Sequence, residues 1–384
     1  MKTVDLFAGC GGLSIGFDKV GFQTLGYLDW DNHCIETLKT NFKKNSAVFM
    51  HGDIRDIANG KNKNIDNFLA ELKSNSVDGI IGGPPCQAYS IAGRVRDPNG
   101  MKNDYRNYLF ESYAIFLKEL KPLFFVFENV TGLLSAKPDG LPIVKNISRS
   151  FRELGYEIPN IDKDIVIDLA NLGGAQKRKR VILFGVDSKR VKNAPQIIQQ
   201  FYINLKNQYE EPKTVQDAIG NLPKLYPLDK PTKRKSHAAD EKDLLHTSRF
   251  HNARDIKIFN ILADDIKTKS FKYKSVESIK KLYEEHVGKK SKVHKYFVLK
   301  WDEPSNLIPA HLYKDGLRHI HPDPEQSRSI SLREAARLQN FPDKYIFMSP
   351  QTETFKMLGN AVSPLMAEKI ANAVKRSLHN LILK

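Results

Sequence analysis

The chain has 384 residues, 41% of them hydrophobic and 10% aromatic, enough to bury a full core and to divide into one large unit and a smaller one. Its net charge of +16 favours a polyanionic partner, nucleic acid first, through phosphate neutralisation and counterion release. No apolar run reaches bilayer-spanning length, no charged-then-apolar leader follows Met1, and Cys10, Cys34 and Cys86 lack Cys-x-x-Cys spacing. Membrane insertion, secretion, a disulfide framework and a zinc cluster are therefore not expected, and a cytoplasmic location is.

Residues 3–7 predict a strand, and Ala8-Gly9-Cys10-Gly11-Gly12-Leu13-Ser14-Ile15-Gly16-Phe17 predicts a glycine-rich turn entering a helix. Such a turn lets the helix N-terminus face a polar ligand, and without Gly-Lys-Ser/Thr it is not a Walker-type phosphate loop. A second strand, 22–28, ends at Asp29-Trp30-Asp31, about twenty residues past the first glycine, where nucleoside-binding folds place a ribose-binding acid. A third, 47–50, leads to Gly52-Asp53-Ile54. The fourth, 77–81, runs into Gly82-Gly83-Pro84-Pro85-Cys86-Gln87. Two prolines stiffen that turn and two glycines allow close approach, so Cys86 reads as a nucleophile. The polar stretch 88–104, with Arg94, Arg96 and Lys102, reads as a mobile loop that closes over substrate.

A helix at 105–120 precedes the apolar strand 123–127, which delivers Glu128-Asn129-Val130 to the same sheet edge. A carboxylate straight after Phe-Phe-Val-Phe is poorly solvated, so a raised pKa is expected. A helix at 141–154 and strands at 165–169 and 181–186 follow, with Gln176-Lys177-Arg178-Lys179-Arg180 between the strands. If that run is extended, Gln176, Arg178 and Arg180 share one face and both lysines the other.

From 188 to 327 the strand–helix alternation is lost. Between 231 and 300 Lys and Arg outnumber Asp and Glu two to one. Histidines at 237, 246, 251, 286 and 294 have no metal-ligand spacing, and Phe271, Tyr273, Tyr296 and Phe297 interleave the lysines. Ser331-Leu332-Arg333-Glu334 is a capping box opening a helix through Leu338, read as scaffold. Ser349-Pro350 opens a helix that Gly359 is expected to close, and Gly359-Asn360-Ala361-Val362 is expected to start the last helix.

Six ordered motifs now stand together: Asp5-Leu6-Phe7-Ala8-Gly9-x-Gly11-Gly12, Gly83-Pro84-Pro85-Cys86-Gln87, Glu128-Asn129-Val130, Gln176-x-Arg178-x-Arg180, Arg333-Glu334-Ala335-Ala336-Arg337-Leu338-Gln339-x-Phe341-Pro342 and Gly359-Asn360-Ala361-Val362. The chain resembles the DNA (cytosine-5) methyltransferase family in all six, in order. It departs at Tyr89, where Phe is usual, and at Ala175, where Pro is common.

The resemblance implies an α/β fold: a doubly wound, mostly parallel, Rossmann-like sheet with a second, smaller DNA-recognition domain. Residues 1–187 with 355–384 would bind cofactor and catalyse, 188–330 would recognise the target, and 331–354 would connect them. It implies an enzyme that uses S-adenosylmethionine, yields S-adenosylhomocysteine and needs no metal. Cys86 would attack the base, Glu128 and Arg180 would hold the ring, and Arg178 would support the thiolate and a nearby phosphate. Phe7, Gly9, Gly11, Asp29, Trp30, Asp53, Ile54, Pro85, Leu109, Asn360 and Val362 would bind cofactor. Gln87, Arg94, Arg96 and Arg106 would touch DNA. The expected setting is a bacterial cytoplasm, with double-stranded DNA as partner, a monomeric enzyme and a cognate restriction endonuclease, because little chain precedes the first motif. Three other readings compete: the same chemistry on transfer RNA, against which Ser90 stands where that branch has Thr; a catalytically inactive DNA-binding regulator, against which the intact Cys86, Glu128 and Arg180 stand; and a nicotinamide dehydrogenase, which would use the glycine turn and Asp29 but leave the Pro84-Pro85-Cys86 and Glu128-Asn129-Val130 strand ends unused.

Overall fold

A computed structural model of the protein describes residues 1–43, 46–59, 62–85, 108–138, 140–240, 242–290 and 296–382. Its strands are β1 (Lys2–Leu6), β2 (Gln23–Asp29), β3 (Val48–His51), β4 (Gly79–Gly82), β5 (Phe124–Val130), β6 (Tyr156–Glu157), β7 (Val166–Asp168) and β8 (Lys179–Asp187). They form one sheet in the order β3-β2-β1-β4-β5-β8-β6, with β7 also on β8. The first five strands pair in parallel, and β8 runs antiparallel to β5, β6 and β7.

The unbroken apolar run of β5 is explained by burial on both faces. Phe124 and Val126 pack with Ile182, Phe184, Phe201 and Val374, whereas Phe125 and Phe127 point the other way, onto Tyr113, Phe116 and Phe151. Helices cover both sides. Gly12–Lys19, Ala194–Lys206 and Pro364–Ile382 lie over one face, and Leu109–Leu120 and Ile143–Glu153 over the other.

Three local expectations change. β5 continues three residues beyond 127, because β8 supplies antiparallel partners to Glu128, Asn129 and Val130. Gly359 does not end its helix, which runs Gln351–Asn360, and the last helix begins at Pro364. The glycine is there for close approach: a Cβ on it would lie 2.3 Å from the Ala310 nitrogen. The helix expected from 105 is seen from Leu109, and 105–107 lie outside the described residues.

The segment 188–330 is distributed. Its helix Ala194–Lys206 lies on the main sheet, while Val215, Ile219, Leu299, Ile308 and Leu312 join a cluster with Tyr27, Leu38, Leu338 and Phe355. A separate small core gathers Ile258, Phe259, Leu262, Leu282, Tyr296, Val298 and Ile320. Tyr296 is thus core, whereas Phe271 is exposed, with the Lys274 ammonium 4.0 Å from its ring centre. Among the described residues no helix is long and apolar enough to cross a membrane.

Candidate active site

The chain winds outward from β1 to β2 and β3, then returns to lay β4 on the other side of β1. In such a sheet the reversal opens a crevice beyond the C-terminal strand ends, where ligands bind. Two sequence-predicted turns meet there, one after β1 and one after β4.

The turn after β1 is left-handed at Phe7, Gly9 and Gly11, with φ of 58°, 54° and 79°. Left-handed backbone is uncommon for a phenylalanine, so its neighbours hold the turn in place. The Gly9 amide donates to Asp29 Oδ2 at 2.8 Å and the Asp31 amide to Oδ1 at 2.9 Å, fastening the glycine turn to the end of β2. Ser14 donates to Asp5 Oδ2 at 2.6 Å, and the Tyr345 hydroxyl to the Cys10 carbonyl at 2.6 Å. Burial pushes the Asp29 carboxyl up to about 6, against the lowering bonds from Asp31 and Gly9. Burial also raises Asp5 to about 7, with Ser14 lowering it and Asp29 adding to the rise.

The other residues expected to bind cofactor differ in their surroundings. Trp30 leaves 72% of its surface exposed beside Asp29. A Cβ on Gly12 would lie 2.0 Å from the Val362 carbonyl, so Val362 is brought against the turn by a contact that only glycine permits. The Gly52 amide donates to the Asp29 carbonyl at 3.0 Å, which sets Asp53 next to Asp29. The Asp53 carboxylate is taken by Arg55, whose hydrogen bond holds it below the usual carboxylate range. Ile54 and Leu109 are buried in one core cluster, Asn360 is exposed and Pro85 is half-buried. The arrangement fits an adenosine-bearing cofactor: nothing lies within 4 Å of a Cβ built on Gly9, an indole face is exposed and an acid stands at the second strand end.

Beyond β4, Gly83 allows the carboxylate of Glu128 to press on the backbone, for a Cβ there would lie 2.5 Å from Oε2. Asn129 Nδ2 donates to the Pro84 carbonyl at 3.4 Å. The two turn residues that lead to Cys86 are thereby tied to β5. Glu128 Oε1 meets Arg180 Nε at 2.6 Å, and each side chain is only 9% exposed. Burial raises the Glu128 pKa, and Arg180 and then Arg178 pull it down without cancelling the rise.

The alternation expected at 176–180 is present: Gln176, Arg178 and Arg180 are buried, Lys177 and Lys179 exposed. Arg178, expected to support a thiolate and a nearby phosphate, also has a bracing role. It donates to the carbonyls of Ile308 at 3.3 Å, Gly359 at 3.0 Å and Ala361 at 2.7 Å, and so braces the last helix pair. Cys86, Gln87, Arg94, Arg96 and Arg106, and the loop 88–104, lie outside the described residues.

Residues that the sequence singled out take partners that had no local sequence signal. Gln176 accepts from the Ile308 amide at 3.1 Å and donates to the Leu338 carbonyl at 3.4 Å. Arg328 donates to both oxygens of Glu334 at 2.7 Å, while Glu334 Oε2 accepts the Ser331 amide at 2.7 Å in the capping box. Those attractions take Glu334 well below the usual carboxylate range despite its burial. The capping box was legible, but not its arginine, which a chain reversal supplies. Among the described residues no cluster of His, Cys, Asp or Glu is arranged to hold a metal.

A doubly wound sheet with a glycine turn, a ribose-level acid and a buried Glu–Arg pair at its switch point belongs to the Rossmann-like enzymes that use an adenosine cofactor. The chain is a member of the C-5 cytosine-specific DNA methylase family, whose model matches residues 1–376. That is a family of S-adenosylmethionine-dependent methyltransferases, and the protein is an enzyme of it. Among its relatives, the type II methyltransferase M.Bpa9945I of Bacillus paralicheniformis is 34% identical over 448 residues, covering 98% of each chain. The type II methyltransferase M1.HphI of Haemophilus parahaemolyticus is 30% identical over 376 residues, covering 97% of this chain and 86% of its own. In fold, an Escherichia coli prophage protein described as a DNA modification methyltransferase matches with a TM-score of 0.65 at 24% identity, over 100% of both chains. A methyltransferase from Entamoeba histolytica matches at 0.58 and 15%, over 99% of this chain and 98% of its own.

Proposed function

We propose that the protein transfers the methyl group of S-adenosylmethionine to carbon 5 of a cytosine flipped out of a specific short duplex DNA sequence, through a covalent Cys86 adduct at carbon 6. The observation that carries this reading is the buried Glu128–Arg180 pair at 2.6 Å, set against the Gly83-Pro84 lead-in to the thiol. Carbon 5 of cytosine is a poor nucleophile. As the Cys86 thiolate bonds to carbon 6, the ring's 5,6 electron pair becomes available at carbon 5 and negative charge grows on the N3–O2 side. Glu128, with its pKa raised, is suited to donate to N3 and to accept from the exocyclic amino group, and Arg180 to donate to the ring oxygen. The bound cofactor supplies an electrophilic sulfonium methyl that carbon 5 attacks. Loss of the carbon 5 proton and departure of the cysteine then restore the aromatic ring.

A side chain cannot reach carbon 6 inside a duplex, so the base is extruded, and Gln87, Arg94, Arg96 and Arg106 serve the displaced strand. Phe7, Gly9, Gly11, Asp29, Trp30, Asp53, Ile54, Pro85, Leu109, Asn360 and Val362 hold the cofactor; Arg178 braces the site. Residues 1–187 and 355–384 are the catalytic part, 188–330 the recognition part and 331–354 the connection. The enzyme acts as a monomer on DNA in the cytoplasm, and the relatives' type II designation supports a bacterial enzyme that protects that DNA from a cognate restriction endonuclease. The test is methyl transfer from labelled S-adenosylmethionine to duplex DNA and to transfer RNA in parallel. Label on cytosine carbon 5 in DNA is expected, and label on RNA alone overturns the proposal.

A further inference from the structure

Between Pro227 and His237 the chain forms a short hairpin: Leu228 N donates to Ser236 O at 3.0 Å, Thr232 N to Lys235 O at 2.9 Å and Ala238 N to Tyr226 O at 2.9 Å. Its tip is closed by Thr232, whose hydroxyl accepts the amides of Arg234 at 3.3 Å and Lys235 at 2.9 Å. Lys230, Lys233, Arg234 and Lys235 all stand exposed on this tip. Some surface cations elsewhere are paired, as in Lys19–Glu368, Lys73–Glu119, Lys369–Glu210 and Lys224 with Asp323 and Glu325. Among the described residues none of the four tip cations makes an ion pair, and the one nearby acid in sequence, Asp229, makes none with them.

The base of the hairpin is buried and closed by hydrogen bonds. Ser236 Oγ bonds His237 Nδ1 at 2.9 Å and accepts the His251 amide at 2.9 Å. His237 Nε2 bonds the Gln326 carbonyl at 2.9 Å, and the Gln326 side chain accepts from Leu225 N at 3.0 Å and Arg328 Nη2 at 2.6 Å. Arg328 grips Glu334, which caps the helix Leu332–Leu338, and Gln339 at that helix's end donates to the Leu358 carbonyl at 2.6 Å. A continuous bonded path therefore runs from the hairpin to the helix whose end carries Asn360. Burial holds His237 down at about 4 and His251 at about 3, so this anchor carries no titrating charge near neutrality.

We propose that the hairpin tip, Lys230, Lys233, Arg234 and Lys235, is a phosphate clamp that seats duplex DNA on the protein. This rests on the DNA-methylating reading above. Three of the four cations are lysines, compact point charges suited to phosphate rather than to bidentate base reading. The clamp therefore sets register and affinity, while base choice lies elsewhere on the recognition part.

The test substitutes all four (K230Q, K233Q, R234Q and K235Q) in the full chain and measures duplex DNA binding across a salt series. Loss of about 3 to 4 from the slope of log affinity against log salt is expected, since each phosphate contact contributes about 0.9. The methylated position within the DNA should not change, and cofactor binding by calorimetry, which reports folding, should match the parent chain. An unchanged salt slope overturns the clamp, as does a shifted methylation site, which would make the tip a base reader. Failure of the unsubstituted chain to methylate any duplex would instead count against the DNA-methylating reading itself.

Discussion

Replacing Gly83 by alanine isolates the contact between the β4 turn and Glu128. Gly83 has no left-handed φ, so alanine is allowed by the backbone and the effect comes from space alone. The new methyl would lie 2.5 Å from Glu128 Oε2, about 0.9 Å inside the 3.4 Å at which ordinary contact begins. The Glu128 backbone is held by its pairing with Ile182 of β8, so its side chain must swing and the 2.6 Å bond to Arg180 must lengthen. Overpacking of this kind costs about 1–3 kcal/mol of stability. If the pair that stabilises the transition state is displaced, a loss of about 3 kcal/mol corresponds to methyl transfer about 100-fold slower. Single-turnover transfer of labelled methyl to duplex DNA measures the rate, and calorimetry should give a cofactor affinity within twofold of the parent. In a Glu128→Ala background, Gly83→Ala should cost almost no stability in urea denaturation, because the atom it strikes is gone. A Gly83→Ala enzyme working within threefold of the parent rate would refute the reasoning.

Arg178→Met keeps bulk but strips the donors from the carbonyls of Ile308, Gly359 and Ala361; urea denaturation should show at least about 3 kcal/mol lost, against near-neutrality for a surface arginine such as Arg149. Asp5, raised to about 7 from 3.8, keeps its proton in the fold at pH values where the unfolded chain has released it. Its contribution to stability therefore falls as pH rises from about 4 to 7 and levels above that. The stability difference between the parent and Asp5→Asn across that window should slope downward with pH, and a flat difference curve would contradict the burial argument.

Much of this site could be read from residue order because the chemistry sits at strand ends. An apolar run that stops at a glycine, an acid or a proline marks both the strand and what it presents. The 176–180 alternation was legible for the same reason, since period-two burial leaves Gln176, Arg178 and Arg180 inside and the lysines outside. What was not legible depends on contacts between distant segments. β5 ran past its apolar run because β8 came alongside it, and Gly359 stayed helical because Ala310 packs on it. Arg178 matched its motif in type and position, yet its partners are three carbonyls 130 or more residues away, which no local spacing encodes. The segment 188–330 shows the same limit in larger form, because its helix Ala194–Lys206 is amphipathic like any other and only the fold reveals that it lies on the main sheet.

Central to the proposed reaction is that one thiol adds to carbon 6 of the cytosine ring. Cys86→Ala, assayed with labelled S-adenosylmethionine on duplex DNA that the parent enzyme methylates, tests it most directly. No methyl transfer is expected while sequence-specific DNA binding and cofactor binding persist, and turnover retained by that variant would contradict the role of the thiol.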